Sequence, residues 1–198
     1  AAFSQIIAVA FPFVISIVCL VVTEQEMKAG CFQNMLTLPC RRKAVLSKFT
    51  LLVFSGLFSC LLSTILFGTL FSFIGNIKIS FGFFLFVPVV LWASNILLYA
   101  LQLILTFQFG RNLGVSIGVI GSLLAALMQT GLGTGLWYVV PYGLGVHFTE
   151  SILEYVIMST TTISNETRIG IAFCVVATCG IIGIMTFWFS RYSGTYTE

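Results

Sequence analysis

The chain has 198 residues, of which 59% are hydrophobic and only 8% charged, whereas soluble domains carry about a quarter charged residues. That composition excludes a water-soluble globule, and the net charge of +3 fits membrane topology better than nucleic acid binding. The nine basic and six acidic residues cluster in short stretches. Between them lie apolar runs as long as the roughly 20 residues that cross a hydrocarbon core.

In chain order, the first run is Ala2 to Val22, ending at the charged cluster Glu24, Glu26 and Lys28. The second, Phe49 to Ile74, follows Lys48 and stops at Gly75 and Asn76. The third, Phe81 to Phe109, stops at Gly110, Arg111 and Asn112. The fourth, Leu113 to Val146, is about 50 Å long as a helix, too long for one crossing of about 30 Å. Glycines 131, 133 and 135, then Pro141 and Gly143, predict a break: a helix to about Thr130, then a bent segment that surfaces near His147. Residues Phe148 to Arg168 carry Glu150, Glu154 and Glu166 among apolar residues and predict a short interfacial or re-entrant helix. The last run is Ile169 to Ser190. The expectation is an all-α transmembrane bundle of five spans forming a single domain over residues 1–198.

If the segment from Thr23 to Lys48 is cytoplasmic, Lys28, Arg41, Arg42, Lys43, Lys48, Arg111 and Arg191 all lie inside, leaving only Lys78 and Arg168 outside. The positive-inside rule selects this orientation. It puts the start of the chain outside, and an odd count of spans beginning at Ala1-Ala2-Phe3 leads to the expectation that a cytoplasmic amino terminus and a first span precede it.

No Asp, Glu, Lys, Arg or His falls in the centre of any run, which argues against coupling by an intramembrane acid or an intramembrane metalloenzyme. The neutral polar residues there are Asn95, Gln102, Gln108 and Gln129; each is a candidate substrate contact, and more commonly such residues hydrogen-bond between packed helices. Gly114, Gly118 and Ser122 have the small-xxx-small spacing of close helix packing. The run Gly131-Leu132-Gly133-Thr134-Gly135 lacks the Lys-Ser/Thr ending of a P-loop, so no nucleotide site is expected in this chain. Trp137, Tyr138 and Tyr142 look like interfacial anchors. Cys19, Cys60, Cys174 and Cys179 lie in apolar runs, Cys31 and Cys40 have no zinc-site spacing, and no metal site is expected.

The segment from Thr23 to Lys48 holds five of the nine basic residues. Met27, Cys31, Met35 and Leu38, with Phe32 and Leu36 beside them, predict a short, imperfectly amphipathic helix that Pro39 stops, followed by Arg41-Arg42-Lys43. Such a segment either faces lipid headgroups or docks on a cytoplasmic partner.

The string Glu24-Gln25-Glu26-Met27-Lys28-Ala29-Gly30-Cys31-Phe32-Gln33-Asn34-Met35-Leu36, then Leu38-Pro39, Arg42 and Lys48, resembles the signature after the second span of ABC-2 type transporter permeases. Within that class it looks most like the lantibiotic-protection permeases of the MutE/EpiE and MutG type. The stretch from Leu123 to Gly133, with Trp137 and Pro141, is similar to them as well. The resemblance implies a six-span permease, paired with a second permease subunit and two copies of a cytoplasmic ATPase that binds the ATP and Mg. It further implies that Gly30 to Leu36 form the coupling helix, with Glu24 and Glu26 at its entry and Arg41, Arg42, Lys43 and Lys48 beside it. The implied substrate is a cationic lantibiotic peptide lifted from the bacterial cell membrane, which the carboxylates of Glu150, Glu154 and Glu166 could attract. Export of a lipid, drug or polysaccharide on the same scaffold, or a non-transporting scaffold or channel subunit, are the alternatives.

Overall fold

A chain in hydrocarbon must satisfy its backbone within each segment, and every described element is accordingly helical. The computed structural model describes residues 2–30, 41–75, 81–133, 135, 137–158 and 165–191. The elements are α1 (Ala2–Lys28), α2 (Arg41–Gly75), α3 (Phe81–Ser94), α4 (Ile96–Leu127), a π-helical turn (Met128–Leu132), α5 (Pro141–Met158) and α6 (Asn165–Arg191). Among the described residues α1, α2 and α6 are single rods long and apolar enough to cross a membrane, and α4 has the same length and apolar composition but is bent, so this is a multi-pass membrane protein.

The third long helix is in fact two rods. The two follow each other without a connecting loop, but Gly110 has φ 76° and ψ −167°, a conformation that L-residues with a Cβ rarely adopt. The chain folds back there, because the Gln102 side-chain amide donates to the carbonyl of Gly114 and Thr106 packs against Gly114. Residues 96–109 are therefore the first arm of α4 and residues 111–127 the second. The reversal falls where the third apolar run was expected to stop.

Directions follow from paired contacts. Phe3 stacks on Phe67 with centroids 3.6 Å apart, and Glu26 at the far end of α1 pairs with Lys48 near the start of α2, so these helices are antiparallel. The Trp92 indole N–H donates to the Val53 carbonyl at 2.7 Å, fastening α3 to α2. Arg111 reaches Glu24 while Gly118 faces Ser16 and the Pro12 carbonyl, so the second arm of α4 runs antiparallel to α1. Phe107 packs edge-on against Phe189, which brings the end of the first arm beside the end of α6.

Two interruptions differ from the expectation. The run from Phe81 to Phe109 is broken at Asn95, where the side-chain amide donates to the Leu91 carbonyl at 2.7 Å and Gly145 of α5 packs against the amide. The polar side chain competes for the backbone and takes over a carbonyl left free at the break. The glycine-rich break after Thr130 is present, with Gly131 at φ 84°. The helix beyond it, however, starts at Pro141 rather than near Phe148, since proline suits a first helical turn whose N–H would be unpaired anyway.

As a result, α5 re-enters the bundle instead of surfacing at His147. Tyr142 lies against Gly121, Gly143 against Met128 and Gly145 against Asn95. Trp137 is 5% exposed and packs with Leu97, Leu144, Phe148 and Cys174, so it is a core residue and not an interfacial anchor. The packed line on the second arm of α4 is Gly114, Gly118, Gly121 and Ala125, displacing Ser122, which is only half-buried.

Since a Cβ at Gly118 would overlap the Ser16 side chain, Gly118→Leu is expected to lower stability by roughly 1–3 kcal/mol in thermal unfolding in detergent. Ser16→Gly in the same chain should recover part of the loss. An unchanged midpoint in the single variant would contradict the packing described.

Candidate functional site

Most of the described basic residues, with Glu24 and Glu26, gather at one end of the bundle. Glu24, Glu26 and Lys28 do not open a separate helix after Val22 but extend α1 by a turn and a half, and the helix ends at Gly30 with φ 128°. Carboxylates on the last turns of a helix are disfavoured by its dipole, as are Arg41, Arg42 and Lys43 on the first turn of α2. Lys28, in the last turn of α1, is the one that complements it.

Neighbouring elements supply the compensation. Lys48 forms a salt bridge with Glu26, whose side chain is only 12% exposed. Arg111, the residue after the fold in α4, reaches Glu24 at 3.4 Å. Hence the end of α1, the start of α2 and the reversal at Gly110 are tied together immediately beside the segment expected to couple to a partner. Phe32, Met35 and Leu36 of that segment lie outside the described residues, as does the basic residue Lys78. With Arg191 ending α6, whose Phe189 packs on Phe107, the basic residues that the positive-inside rule assigned to one side occupy one end of the bundle, and Arg168 lies at the other.

The neutral candidates are placed differently. Asn95 and Gln102 are 1% and 3% exposed, and both donate to backbone carbonyls, Asn95 locally to Leu91 and Gln102 across to the other arm of α4 as interhelical glue does. Gln129 is half-buried on the π-helical turn. Glu150 is half-buried on α5 and Glu154 exposed one turn later. These residues are spread over the break before α4, α4 itself, the π-helical turn and α5.

Sequence reasoning passed over His147, which lies in α5 outside the long spans. Its ring stacks on Trp137 with centroids 4.9 Å apart, its Nδ1 is 3.8 Å from Glu150, and its Nε2 is buried without a well-formed hydrogen bond. Burial lowers its pKa below the usual 6.5, opposed by the Glu150 carboxylate, the Met128 backbone and Glu166 of α6. Among the described residues no three His, Cys, Asp or Glu side chains come together as a metal site.

No family model, no curated protein and no solved structure matches this chain.

Two outcomes are expected from these contacts. Lys48→Gln, which leaves the nearly buried Glu26 carboxylate unpaired, should cost about 1–3 kcal/mol in thermal unfolding, while Arg111→Gln, at a more exposed pair, should cost less than about 1 kcal/mol. Equal costs would show that burial does not set the strength of these pairs. For His147, a lowered folded-state pKa means that the unfolded chain binds the proton more tightly. The stability is complete above the unfolded value near 6.5 and is lost as the pH falls through it. The unfolding midpoint should therefore drop between about pH 7.5 and 5.5, and the drop should shrink in His147→Gln; an identical profile in the variant would assign it to other groups.

Proposed function

We propose that this chain is the membrane-spanning permease subunit of an ABC-2 type ABC transporter of the bacterial cell membrane, and that it expels a cationic lantibiotic peptide for self-protection. The chemistry of ATP hydrolysis belongs to a cytoplasmic ATP-binding partner, which binds the nucleotide and Mg, and a second permease subunit completes the pathway. The chain is then a transport subunit and not an enzyme.

The observation that carries this proposal is the charged string from Glu24 to Leu36, with its resemblance to the ABC-2 permease signature, at the end of a helix braced on both sides. A permease driven by a separate motor needs a rigid element through which a displacement reaches the spans. Glu26–Lys48 and Glu24–Arg111 meet that need: movement at the end of α1 is handed to α2 through one pair and to the folded α4 through the other. Arg42 and Lys43 stand exposed on the first turn of α2 against the dipole, a cost that docking on an acidic or phosphate-rich surface would offset.

The test is affinity purification of the chain from its own membranes, with ATPase activity of the eluate and survival under lantibiotic challenge measured in parallel. Replacing Phe32, Met35 and Leu36 together by Ala, with Glu24 and Glu26 kept so that the bundle ties remain, should abolish co-purifying ATPase and protection without lowering the amount of chain in the membrane. Full retention of both would overturn the docking role. Retained ATPase with no protection in any background would leave an exporter of another substrate.

A further inference from the structure

The least covered of the long apolar helices is α6, and one stretch of its exposed face is concave. Gly180, Gly183, Ile184, Phe187, Trp188 and Arg191 line a groove of about 530 Å³. The two glycines create the notch, since nothing lies within 4 Å of where their Cβ atoms would be, and Ile184 and Phe187 rise beside it, 61% and 55% exposed. Arg191 closes the groove at the basic end of the bundle, its guanidinium carbon 4.5 Å from the centroid of the Phe187 ring. Among the described residues no carboxylate pairs with it, in contrast to Arg111 and Lys48.

We propose that this groove binds one anionic phospholipid of the leaflet at the basic end of the bundle, its phosphate on Arg191 and an acyl chain in the Gly180–Gly183 notch. The dimensions match, because the twelve residues from Gly180 to Arg191 rise about 16 Å, close to half of a hydrocarbon core of about 30 Å. Charge matches too: the lining is apolar except at its last residue, and a guanidinium held over a ring presents a fork suited to bidentate phosphate binding. A second copy packed symmetrically in the same groove would instead bring two Arg191 side chains together at the same depth, with no described carboxylate to separate them. The site does not depend on what the protein transports.

The experiment uses the purified protein in phosphatidylcholine vesicles containing either brominated phosphatidylglycerol or brominated phosphatidylcholine at equal mole fraction, and reads quenching of Trp188. Trp92→Phe and Trp137→Phe remove the other two tryptophans. The phosphatidylglycerol should bind roughly fivefold more tightly than the phosphatidylcholine, whose choline cation offsets its phosphate, the factor expected for one basic residue at a net anionic headgroup. Arg191→Gln should abolish the preference, and Gly180→Leu should weaken quenching by both lipids. Should the tryptophan variants not fold, native mass spectrometry of the unaltered chain and of Arg191→Gln counts retained phosphatidylglycerol directly. Equal affinity for the two headgroups, or a preference that survives Arg191→Gln, overturns the site. So does efficient disulfide formation between Gly183→Cys chains at low protein-to-lipid ratio, which would put a second copy in the groove.

Discussion

The close approach of α1 to the second arm of α4 is the contact on which the other placements depend. Within hydrocarbon no water is released when two helices meet, so association rests on how near the backbones come and on the few hydrogen bonds they exchange. Gly114, Gly118 and Gly121 present no side chain where Thr106, Ser16 and Tyr142 lie. Gly118 admits α1, Gly114 lets the two arms of α4 close on each other, and Gly121 seats the first turn of α5. One glycine line thus sets the spacing of three neighbours.

Polar groups inside the bundle serve the same economy. Ser16, Thr23, Thr64, Thr106 and Thr149 turn their hydroxyls back to carbonyls three or four residues earlier, so none needs an external partner. Trp92, Asn95 and Gln102 also donate to carbonyls, and each fixes a place where the helical path is joined or interrupted. Charges are kept out of this region and meet only at its ends, where they bind elements whose dipoles alone would not favour them.

Much of the architecture was legible in the residue order because the bilayer reduces it to lengths: the apolar runs, the stop at Gly110 and the break after Thr130 all have helical counterparts. Partial breaks were less legible. Asn95 interrupts an uncharged run that hydropathy treats as uniform, and Pro141 begins a helix where proline was read as part of a bend. Trp137 was misjudged because aromatic residues near a glycine cluster suit an interface and a core equally, and only the return of α5 decides between them. Of the candidate site, the resemblance marks Glu24 and Glu26 at the entry of the coupling segment and Lys48 beside it, whereas the pairings with Lys48 and Arg111, 22 and 87 positions away, carry no local signal. The groove of α6 was invisible for a different reason: a glycine facing open space and one facing a neighbouring helix look alike in a sequence.

The length of α2 has a consequence of its own. Its 35 residues rise about 52 Å, and the uncharged part from Phe49 to Ile74 alone rises about 39 Å, against a hydrocarbon thickness of about 30 Å. A rod that long either leans well away from the bilayer normal or thickens the lipid around it, and the Lys48–Glu26 and Trp92–Val53 ties transmit any change of lean to α1 and α3. Bilayer thickness is thereby an input to the geometry of the whole bundle: a thinner membrane tilts α2 further, a thicker one stands it up, and the charged end where α1, α2 and α4 meet moves with it.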